Sequence, residues 1–402
     1  MIALRPLSLA QRDSTLDLLR GFALAGVLFM FCVHDIGTSQ NYKATLLDEI
    51  IAWPKWILVE NRMYTMLILI FGIGFHMQLK KAEAKGTSLL PFFLRRILGL
   101  LVIGFIHAVL LSKRDILMFY GFAGLALLPV RHLSNRQLFF VIAFVFLLLV
   151  TPFLSNIFGY DWVKAKMLTQ PNNYLDHINY NWQYFLYIHL AYNIYLDMLF
   201  HFLLGFWISR IGFLEKLKAN HSFRKRLLII SIIATIMLIP GYYFWIDPIV
   251  SGWVFAIKSA PAKFLASTMI RIIWQVWMMV SVTLYVILLI QFSIWGTWKK
   301  WQTSLAAFGQ MALSNYLIQS ILLVPVLLLF DRFNNIPPFT GFLLFILVLI
   351  LQLRFSTWWL SRFSMGPFEW LLRSFTYLRW QPLRYFQKDE LLATVETQKV
   401  RR

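Results

Sequence analysis

Two pairs of arginine and histidine residues lie in apolar segments, at spacings that place each pair on one face of a helix. Arg20 and His34 are 14 residues apart, which returns them to within about 40° of the same face, roughly 21 Å apart along the axis. Arg96 and His107 are 11 residues apart and fall within about 20° of one face. Cations at one membrane surface suit a phosphate-bearing donor, and histidine at the other suits proton transfer. The alternative is that the histidines are interfacial and the arginines only set topology.

Acidic residues accompany both ends of these stripes. Asp17 lies three residues before Arg20, where an ion pair near a helix end costs little, so it is either an anchor or part of a donor site. Asp115, at the outer start of the fourth predicted span, and Glu60, just before the second, are predicted to orient an imidazole, or else are ordinary loop residues. The predicted catalytic residues are His34, His107, Asp115 and Glu60, and the predicted donor-binding residues are Arg20, Arg96 and Asp17.

A second polar set recurs every four residues along one helix face. It consists of His189, Asn193, Asp197 and His201. Because charges near mid-membrane are costly, this face should contact protein or water, as a substrate or proton pathway or as a hydrogen-bonded seam between helices. Arg271 is the predicted counter-charge to Asp197 or to an anionic ligand. Asn315 and its polar neighbours could hydrogen-bond a ligand or merely adjacent helices, and no metal is expected, since this spacing is weak evidence for a metal site.

The composition of the chain indicates whether the helices that carry these residues lie in water or in a membrane. The chain has 402 residues, of which 59% are hydrophobic and only 14% are charged, against roughly 25% charged residues in soluble domains. Disordered, collagen-like, disulfide-rich secreted and nucleic-acid-binding proteins are excluded, because each needs a more polar, periodic or cysteine-rich sequence. The sequence therefore predicts an all-α membrane protein in contact with membrane lipids, with residues 1–402 as one polytopic domain.

Ten apolar windows meet or approach the roughly 20 residues that a helix needs to cross the hydrocarbon core. They run about 16–36, 63–79, 92–111, 116–130, 138–158, 184–208, 227–244, 266–292, 304–330 and 342–360. Continuous apolar runs favour helices, because a membrane strand alternates with period two. The segment 361–402 is predicted to be a basic cytoplasmic tail with an amphipathic segment.

The distribution of basic residues predicts the orientation. Arg95 and Arg96, at the start of the third span, are counted with the side that they adjoin; 25 Lys and Arg residues then fall on the side of the N-terminus, 10 on the opposite side and three within spans. By the positive-inside rule both termini are cytoplasmic, in a bacterial inner membrane. The formal charge of +20 is then explained by topology rather than by a nucleic-acid partner. The oligomeric state cannot be read from the sequence.

Five motifs, in order along the chain, carry a family resemblance. They are Thr15–Gly26 (TLDLLRGFALAG), Leu69–Phe75 (LIFGIGF), Asp115–Leu117, Gly309–Ser320 (GQMALSNYLIQS) and Gly366–Arg373 (GPFEWLLR). Together they resemble the YeiB-like family of bacterial multi-pass membrane proteins of unknown function, over nearly the full chain. More distantly, that family resembles the transmembrane acyltransferase superfamily.

The distant resemblance implies transfer of an acyl group from cytoplasmic acyl-CoA to an extracytoplasmic glycan or lipid, through a hydroxyl or amine. It also implies a polar residue eleven positions after Arg20, where this chain has Phe31; His34, one turn further along the same face, could take its role. The alternative function is a proton-coupled transporter, or a protein that handles a lipid or anionic solute, using Asp197 and Arg271. A third alternative is a scaffold whose polar residues only stabilise the bundle.

Overall fold

The computed structural model describes residues 14–34, 45–84, 90–112, 115–152, 174–190, 192–241, 257–296, 298–331 and 337–384, with Gly86 and Ser88. Over these residues the fold is all α-helical, as predicted, and an isolated antiparallel bridge joins Phe363 to Arg384. In chain order the helices are α1 (Ser14–His34), α2 (Leu46–Pro54), α3 (Arg62–Ala84), α4 (Leu90–Leu110), α5 (Leu117–Val130), α6 (Asn135–Val150), α7 (Tyr174–Leu190), α8 (Tyr192–Arg210), α9 (Phe213–Ala219), α10 (His221–Gly241), α11 (Ala260–Trp295), α12 (Lys299–Gln310), α13 (Ala312–Asp331), α14 (Pro338–Leu360) and α15 (Pro367–Tyr377). A five-residue π-helix, Lys55–Val59, follows α2.

The predicted number of ten spans is not confirmed. Within the described residues, five helices are long and apolar enough to cross a membrane: α1, α3, α4, α11 and α14. The number rises to seven if each of two bent pairs, α8 with α9 and α12 with α13, counts as one span. Every predicted span overlaps a helix, but α5 and α6 have only 14 and 16 residues, and α10 carries three consecutive basic residues within its first two turns that shorten its apolar part.

Helix α1 lies at the centre of the bundle. In its most apolar window 78% of the residues are buried, against 28% in α14. It packs against α3, α11, α12, α13 and α14. Asp17 of α1 is therefore buried against protein, as ionisable residues within spans usually are, whereas the Arg20 side chain is 29% exposed.

Glycines let the central helices approach closely. A Cβ at Gly21 would collide with the carbonyl oxygen of Leu305 in α12, and a Cβ at Gly309 would collide with the carbonyl oxygen of Asp17 in α1. The same reciprocal arrangement joins α3 to α8 through Gly72 and Gly205. Small residues at such crossings allow backbones to pack in contact, the usual basis of helix association in a membrane.

Helices α12 and α13 meet at Met311 with a bend of 82°. Helix α12 is the more polar of the two and crosses α1 at the Gly21–Gly309 contact. Helix α13 then carries a row of buried polar residues into the bundle. The bend thus places the first turn of α13 beside the amphipathic helix α15, with which it makes several hydrogen bonds.

We predict that Gly309→Ala destabilises the fold by about 1–3 kcal/mol, the usual cost of overpacking a well-packed interior. Neither backbone at this crossing can move aside without disturbing the bundle. The matched control is Gly74→Ala, whose added Cβ would meet only an Arg20 nitrogen at 3.7 Å. Thermal unfolding in detergent can be followed with a thiol-reactive dye, because Cys32 is the single cysteine and is buried. Equal midpoints for the two variants would contradict the prediction.

Candidate functional site

A chain of three hydrogen-bonded side chains joins α4, α13 and the segment before α5. His107 Nδ1 lies 2.8 Å from Asp115 Oδ1, and His107 Nε2 lies 2.8 Å from Ser320 Oγ. All three residues are at least 97% buried. Because a carboxylate only accepts hydrogen bonds, a neutral His107 carries its proton on Nδ1 and accepts from the Ser320 hydroxyl through Nε2. That is the tautomer a general base needs in order to activate a serine.

The surroundings fix the geometry of this chain, which we call the Ser320–His107–Asp115 chain. Asp115 Oδ2 accepts from the backbone N–H of Met118 at 2.8 Å, so both carboxylate oxygens have partners. The ring of Tyr316 lies against the imidazole, with centroids 4.8 Å apart. A Cβ at Gly104 would lie 2.9 Å from Asp115 Oδ2, so a residue without a side chain is needed here to admit the carboxylate.

A cavity of about 470 Å³ borders the Ser320–His107–Asp115 chain at Asp115. Its lining residues come from α3, α5, α6, α7, α8 and α11 and from the residues just before α3 and α5. Tyr64 and Phe119 contribute aromatic surface, while Asp197 and Arg271 contribute charge. The volume falls within the range of roughly 300–1,000 Å³ that is usual for small-molecule sites.

The structure brings Asp197 and Arg271 into the walls of this cavity, but it does not pair them. Asp197 Oδ1 accepts from Gln275 Nε2 at 2.8 Å. Asp197 Oδ2 lies 3.5 Å from His201 Nδ1, which also lies 2.7 Å from the Asp197 carbonyl oxygen. The partners of the carboxylate are therefore an amide and an imidazole rather than the guanidinium expected from the sequence.

The N-terminal face, at which α1 begins, holds the predicted donor-binding residues. Asp17 and Arg20 form the predicted ion pair, with Oδ1 and Nη1 at 2.7 Å. Arg96 lies within electrostatic reach of Arg20, and Arg373 from α15 joins the same group. The Nε of Arg96 is buried and has no hydrogen-bond partner within the described part of the chain, while its guanidinium lies 5.9 Å from the ring centroid of Phe71. The structure thus gathers three arginines, one more than the sequence predicted, at this face.

Helix α13 carries a polar face between the arginine group and the Ser320–His107–Asp115 chain. Asn315 Nδ2 donates to Ser356 Oγ at 2.9 Å, and the Asn315 carbonyl accepts from Gln352 at 3.0 Å. Gln319 donates to Gln352 Oε1 at 3.1 Å. The amide nitrogens of Asn315 and Gln319 therefore donate within the protein, while Asn315 Oδ1 and Gln319 Oε1 are buried without a hydrogen-bond partner among the described residues. Both alternatives for these residues, a ligand or adjacent helices, stay open. About 9 Å of helix rise separates Ser314 from Ser320.

Glu369 of α15 anchors the first turn of α13. Its Oε1 accepts from the backbone N–H groups of Leu313 at 2.7 Å and Ser314 at 3.1 Å, and its Oε2 accepts from the Ser314 hydroxyl. These N–H groups have no partner within their own helix. Burial raises the pKa of the Glu369 carboxyl above its usual range, although the hydrogen bonds from Ser314 and Leu313 oppose that shift.

The structure does not describe the side chains of all the remaining predicted residues. His34 ends α1, but its side chain lies outside the described residues, as do the side chains of His189 and Asn193. Glu60 is not a partner of His107, because Asp115 and Ser320 occupy both ring nitrogens. Phe31, at the position where the distant resemblance implies a polar residue, lies in the apolar core.

Sequence reasoning missed three residues of these sites. Ser320 closes the chain to His107, Gln275 holds Asp197, and Arg373 joins Arg20 and Arg96. Ser320 had a signal, because it ends the Gly309–Ser320 motif and follows Gln319 on a helix with several polar residues. Gln275 lies four residues after Arg271, one helix turn away, whereas Arg373 looked like an ordinary tail residue.

We predict that Glu369 makes stability depend on pH. A carboxyl whose pKa is raised in the folded state stabilises the fold while it is protonated, and this contribution is lost as pH rises through the raised pKa. The midpoint of thermal unfolding should therefore fall as pH rises above the ordinary glutamate value of 4.5. Glu369→Gln, which mimics the neutral form, should reduce this dependence, and Glu215→Gln, at an exposed glutamate of α9, should not. A wild-type pH profile that persists in Glu369→Gln would be incompatible with this explanation.

Comparison with known proteins extends over nearly the whole chain. Residues 208–379 match the family model described as protein of unknown function (DUF418). The chain is 28% identical to the uncharacterised protein YxaH of Bacillus subtilis strain 168, with 95% of this chain and 98% of that protein aligned. It is 26% identical to an uncharacterised 39.9 kDa protein from the amylase 3′ region of Bacillus acidopullulyticus, over 94% and 97%.

It is also 24% identical to the uncharacterised protein YeiB of Escherichia coli K12, over 91% of this chain and 96% of that protein. No solved structure matches the chain. The more distant resemblance to the transmembrane acyltransferases is not tested by these matches and stays a prediction. The predicted resemblance to the YeiB-like family of multi-pass membrane proteins, in contrast, is confirmed.

Proposed function

We propose that the protein transfers an acyl group from cytoplasmic acyl-CoA, across the inner membrane, to a hydroxyl or amine acceptor on the other side. The observation that carries this proposal is the Ser320–His107–Asp115 chain beside the cavity. Its hydrogen bonds link a nucleophile, a base and an orienting carboxylate, which is the arrangement of enzymes that form acyl-serine intermediates. In this proposal the N-terminal face is the cytoplasmic face.

Each side chain has one role in the first half-reaction. Ser320 Oγ attacks the thioester carbon while its proton passes to His107 Nε2. The carbon–sulfur bond breaks, and the leaving thiolate takes the proton from the imidazolium. Asp115 stays ionised, holds the Nδ1 proton and stabilises the positive charge of the ring.

The second half-reaction uses the same groups in reverse order. The acceptor loses its proton to His107 Nε2 as its oxygen or nitrogen attacks the carbonyl carbon of the Ser320 ester. The ester bond to Ser320 breaks, and Ser320 Oγ recovers a proton from the imidazolium. Because Asp115 borders the cavity, the acceptor is proposed to enter from there.

The arginine group on the N-terminal face supports the donor side. Arg20, Arg96 and Arg373 concentrate positive charge beside the start of α13, and guanidinium groups bind phosphate oxygens well. The polar face of α13 leads from this group to Ser320, over about 9 Å of helix rise. A donor bound by its phosphates at the arginines would direct its acyl end along this face. We assign the base to His107 rather than His34, because His107 Nε2 lies 2.8 Å from the Ser320 hydroxyl to which this face leads.

The transporter alternative has its own support in the cavity. Asp197 is a carboxylate held by an imidazole and an amide, which suits proton coupling. Uptake that depends on a pH gradient and disappears in Asp197→Asn, without any acyl transfer, would favour the transporter over the enzyme.

The test uses purified protein in liposomes, with labelled acetyl-CoA supplied to the N-terminal face and glycan or lipid acceptors on the other. We expect wild type to transfer the label, and Ser320→Ala, His107→Ala and Asp115→Asn each to lower the rate by at least about 10²-fold, the typical contribution of a positioned acid–base group. Mass spectrometry should find the acyl group on the peptide that contains Ser320, and Asp115→Asn should reduce that labelling.

The matched control is Ser281→Ala, because Ser281 is also buried but donates only to the Trp277 carbonyl of its own helix. It should transfer at the wild-type rate. Unfolding midpoints measured through Cys32 identify variants that fail to fold. The proposal is wrong if folded wild type transfers nothing, if Ser320→Ala retains full activity, or if the acyl group reaches only water.

A further inference from the structure

The cavity has a second polar wall, away from Asp115, that the acyl-transfer chain does not use. We call it the Arg271 wall: Arg271 and Gln275 of α11 with Asp197 of α8. Arg271 and Gln275 are one turn apart on the same helix face. Any molecule that fills the cavity meets this wall as well as Asp115.

Among the residues that the structure describes, little balances the charge of Arg271. Its hydrogen bond to a described residue is long, 3.5 Å from Nη1 to the Leu149 carbonyl, and Asp197 is bonded to Gln275 and His201 instead. An arginine costs about 2.5–3.5 kcal/mol at the centre of a membrane helix on insertion scales, and ionisable residues within such helices are usually paired or in contact with water or a ligand. The guanidinium therefore suits an oxyanion, which it can bind through two parallel hydrogen bonds.

Gln275 indicates a second feature of the ligand, a hydrogen-bond donor. The amide nitrogen of Gln275, Nε2, must be the atom that faces Asp197, because a carboxylate accepts hydrogen bonds and cannot donate them. The other amide atom, Oε1, is therefore a hydrogen-bond acceptor. Gln275 is 94% buried, and its Oε1 has no hydrogen-bond partner among the described residues. A buried acceptor without a donor costs about 1–3 kcal/mol. A hydroxyl group of a ligand would supply the missing donor.

The remaining surface adds aromatic faces. Phe119 and Trp274 line the cavity together with Tyr64 and Tyr184. Aromatic rings offer flat apolar surface to the carbon skeleton of a ligand without requiring further hydrogen bonds. The site thus combines a cation, an acceptor that lacks a donor and an aromatic floor in a volume suited to a small molecule.

We infer that this cavity binds a polyol that carries an oxyanion, with the phosphate or carboxylate on Arg271 and a hydroxyl on Gln275. The inference rests on the proposed function in one respect: the bound polyol is the acyl acceptor, held on the Asp115 side of the Ser320–His107–Asp115 chain. The same chemistry occurs in an anionic lipid headgroup and in a free sugar or polyol phosphate.

Binding is measured by calorimetry on detergent-purified wild type with five probes. Glycerol phosphate carries both features, glycerol only the hydroxyls, and inorganic phosphate only the oxyanion. Short-chain phosphatidylglycerol presents both features on a lipid, and short-chain phosphatidylcholine is the lipid control. We expect saturable binding of glycerol phosphate or phosphatidylglycerol, at least about tenfold tighter than that of the other three probes. Glycerol lacks the charge-assisted hydrogen bonds to Arg271, and inorganic phosphate and phosphatidylcholine lack the hydroxyl that pairs the buried Gln275 acceptor. Which of the two binds identifies the source.

Variants test the assignment of each group. Arg271→Gln should weaken binding by about tenfold or more, and Gln275→Leu should remove the preference for the polyol over inorganic phosphate. Arg354→Gln, at an exposed arginine of α14 away from the cavity, should leave binding unchanged. Equal binding by Arg271→Gln and wild type, or no saturable binding of either two-feature probe, would overturn the inference.

The readout separates this inference from the proposed function. Ser320→Ala should bind the polyol as wild type does, since Ser320 does not line the cavity. Binding that needs Arg271 in a protein that never transfers an acyl group refutes the enzyme and keeps the ligand class. Acyl transfer with no dependence of acceptor binding on Arg271 refutes the ligand class and keeps the enzyme.

Discussion

Every polar side chain inside this bundle is subject to one constraint: without water, its hydrogen bonds must be made by the protein or by a ligand. His107 satisfies the constraint completely, because each ring nitrogen has a partner at 2.8 Å. The segment before α5 must then hold Asp115 against α4, and α13 must present Ser320 to the other side of the ring. One imidazole thereby fixes the relative positions of three segments.

The backbone features of the bundle serve the same arrangement. The 82° bend at Met311 turns α13 into the protein, and Glu369 supplies acceptors to the N–H groups that the bend leaves unpaired. Gly104 leaves room for the Asp115 carboxylate. Gly21 and Gly309 bring α1 and α12 into backbone contact, so that α1 packs at the centre of the bundle. These features explain how charged residues and apolar spans coexist in one helix.

Much of this could be predicted from the sequence, and the rest depends on long-range contacts. The Asp17–Arg20 pair follows from local helix geometry, and the inward position of His107 follows from the cost of exposing it to lipid. The motif marks Ser320, but its partner could not be predicted, since serine in a helix usually bonds a carbonyl of its own preceding turn and the partner here is 213 residues away. Opposite charge predicts that Asp197 pairs with Arg271. Charge alone does not show that Gln275, one helix turn further on, lies closer to the Asp197 carboxylate. The ten spans rested on apolar length, which cannot reveal a bend at Met311.

The central claim is that His107, held by Asp115, makes Ser320 a nucleophile. The most direct measurement is covalent labelling with a serine-reactive fluorophosphonate, followed by peptide mass spectrometry of the protein in detergent. The account predicts that Ser320 is modified in wild type and that the modification is lost in His107→Ala, while Ser281→Ala is labelled as wild type. Labelling that spares Ser320, or that continues at Ser320 in folded His107→Ala, would contradict it.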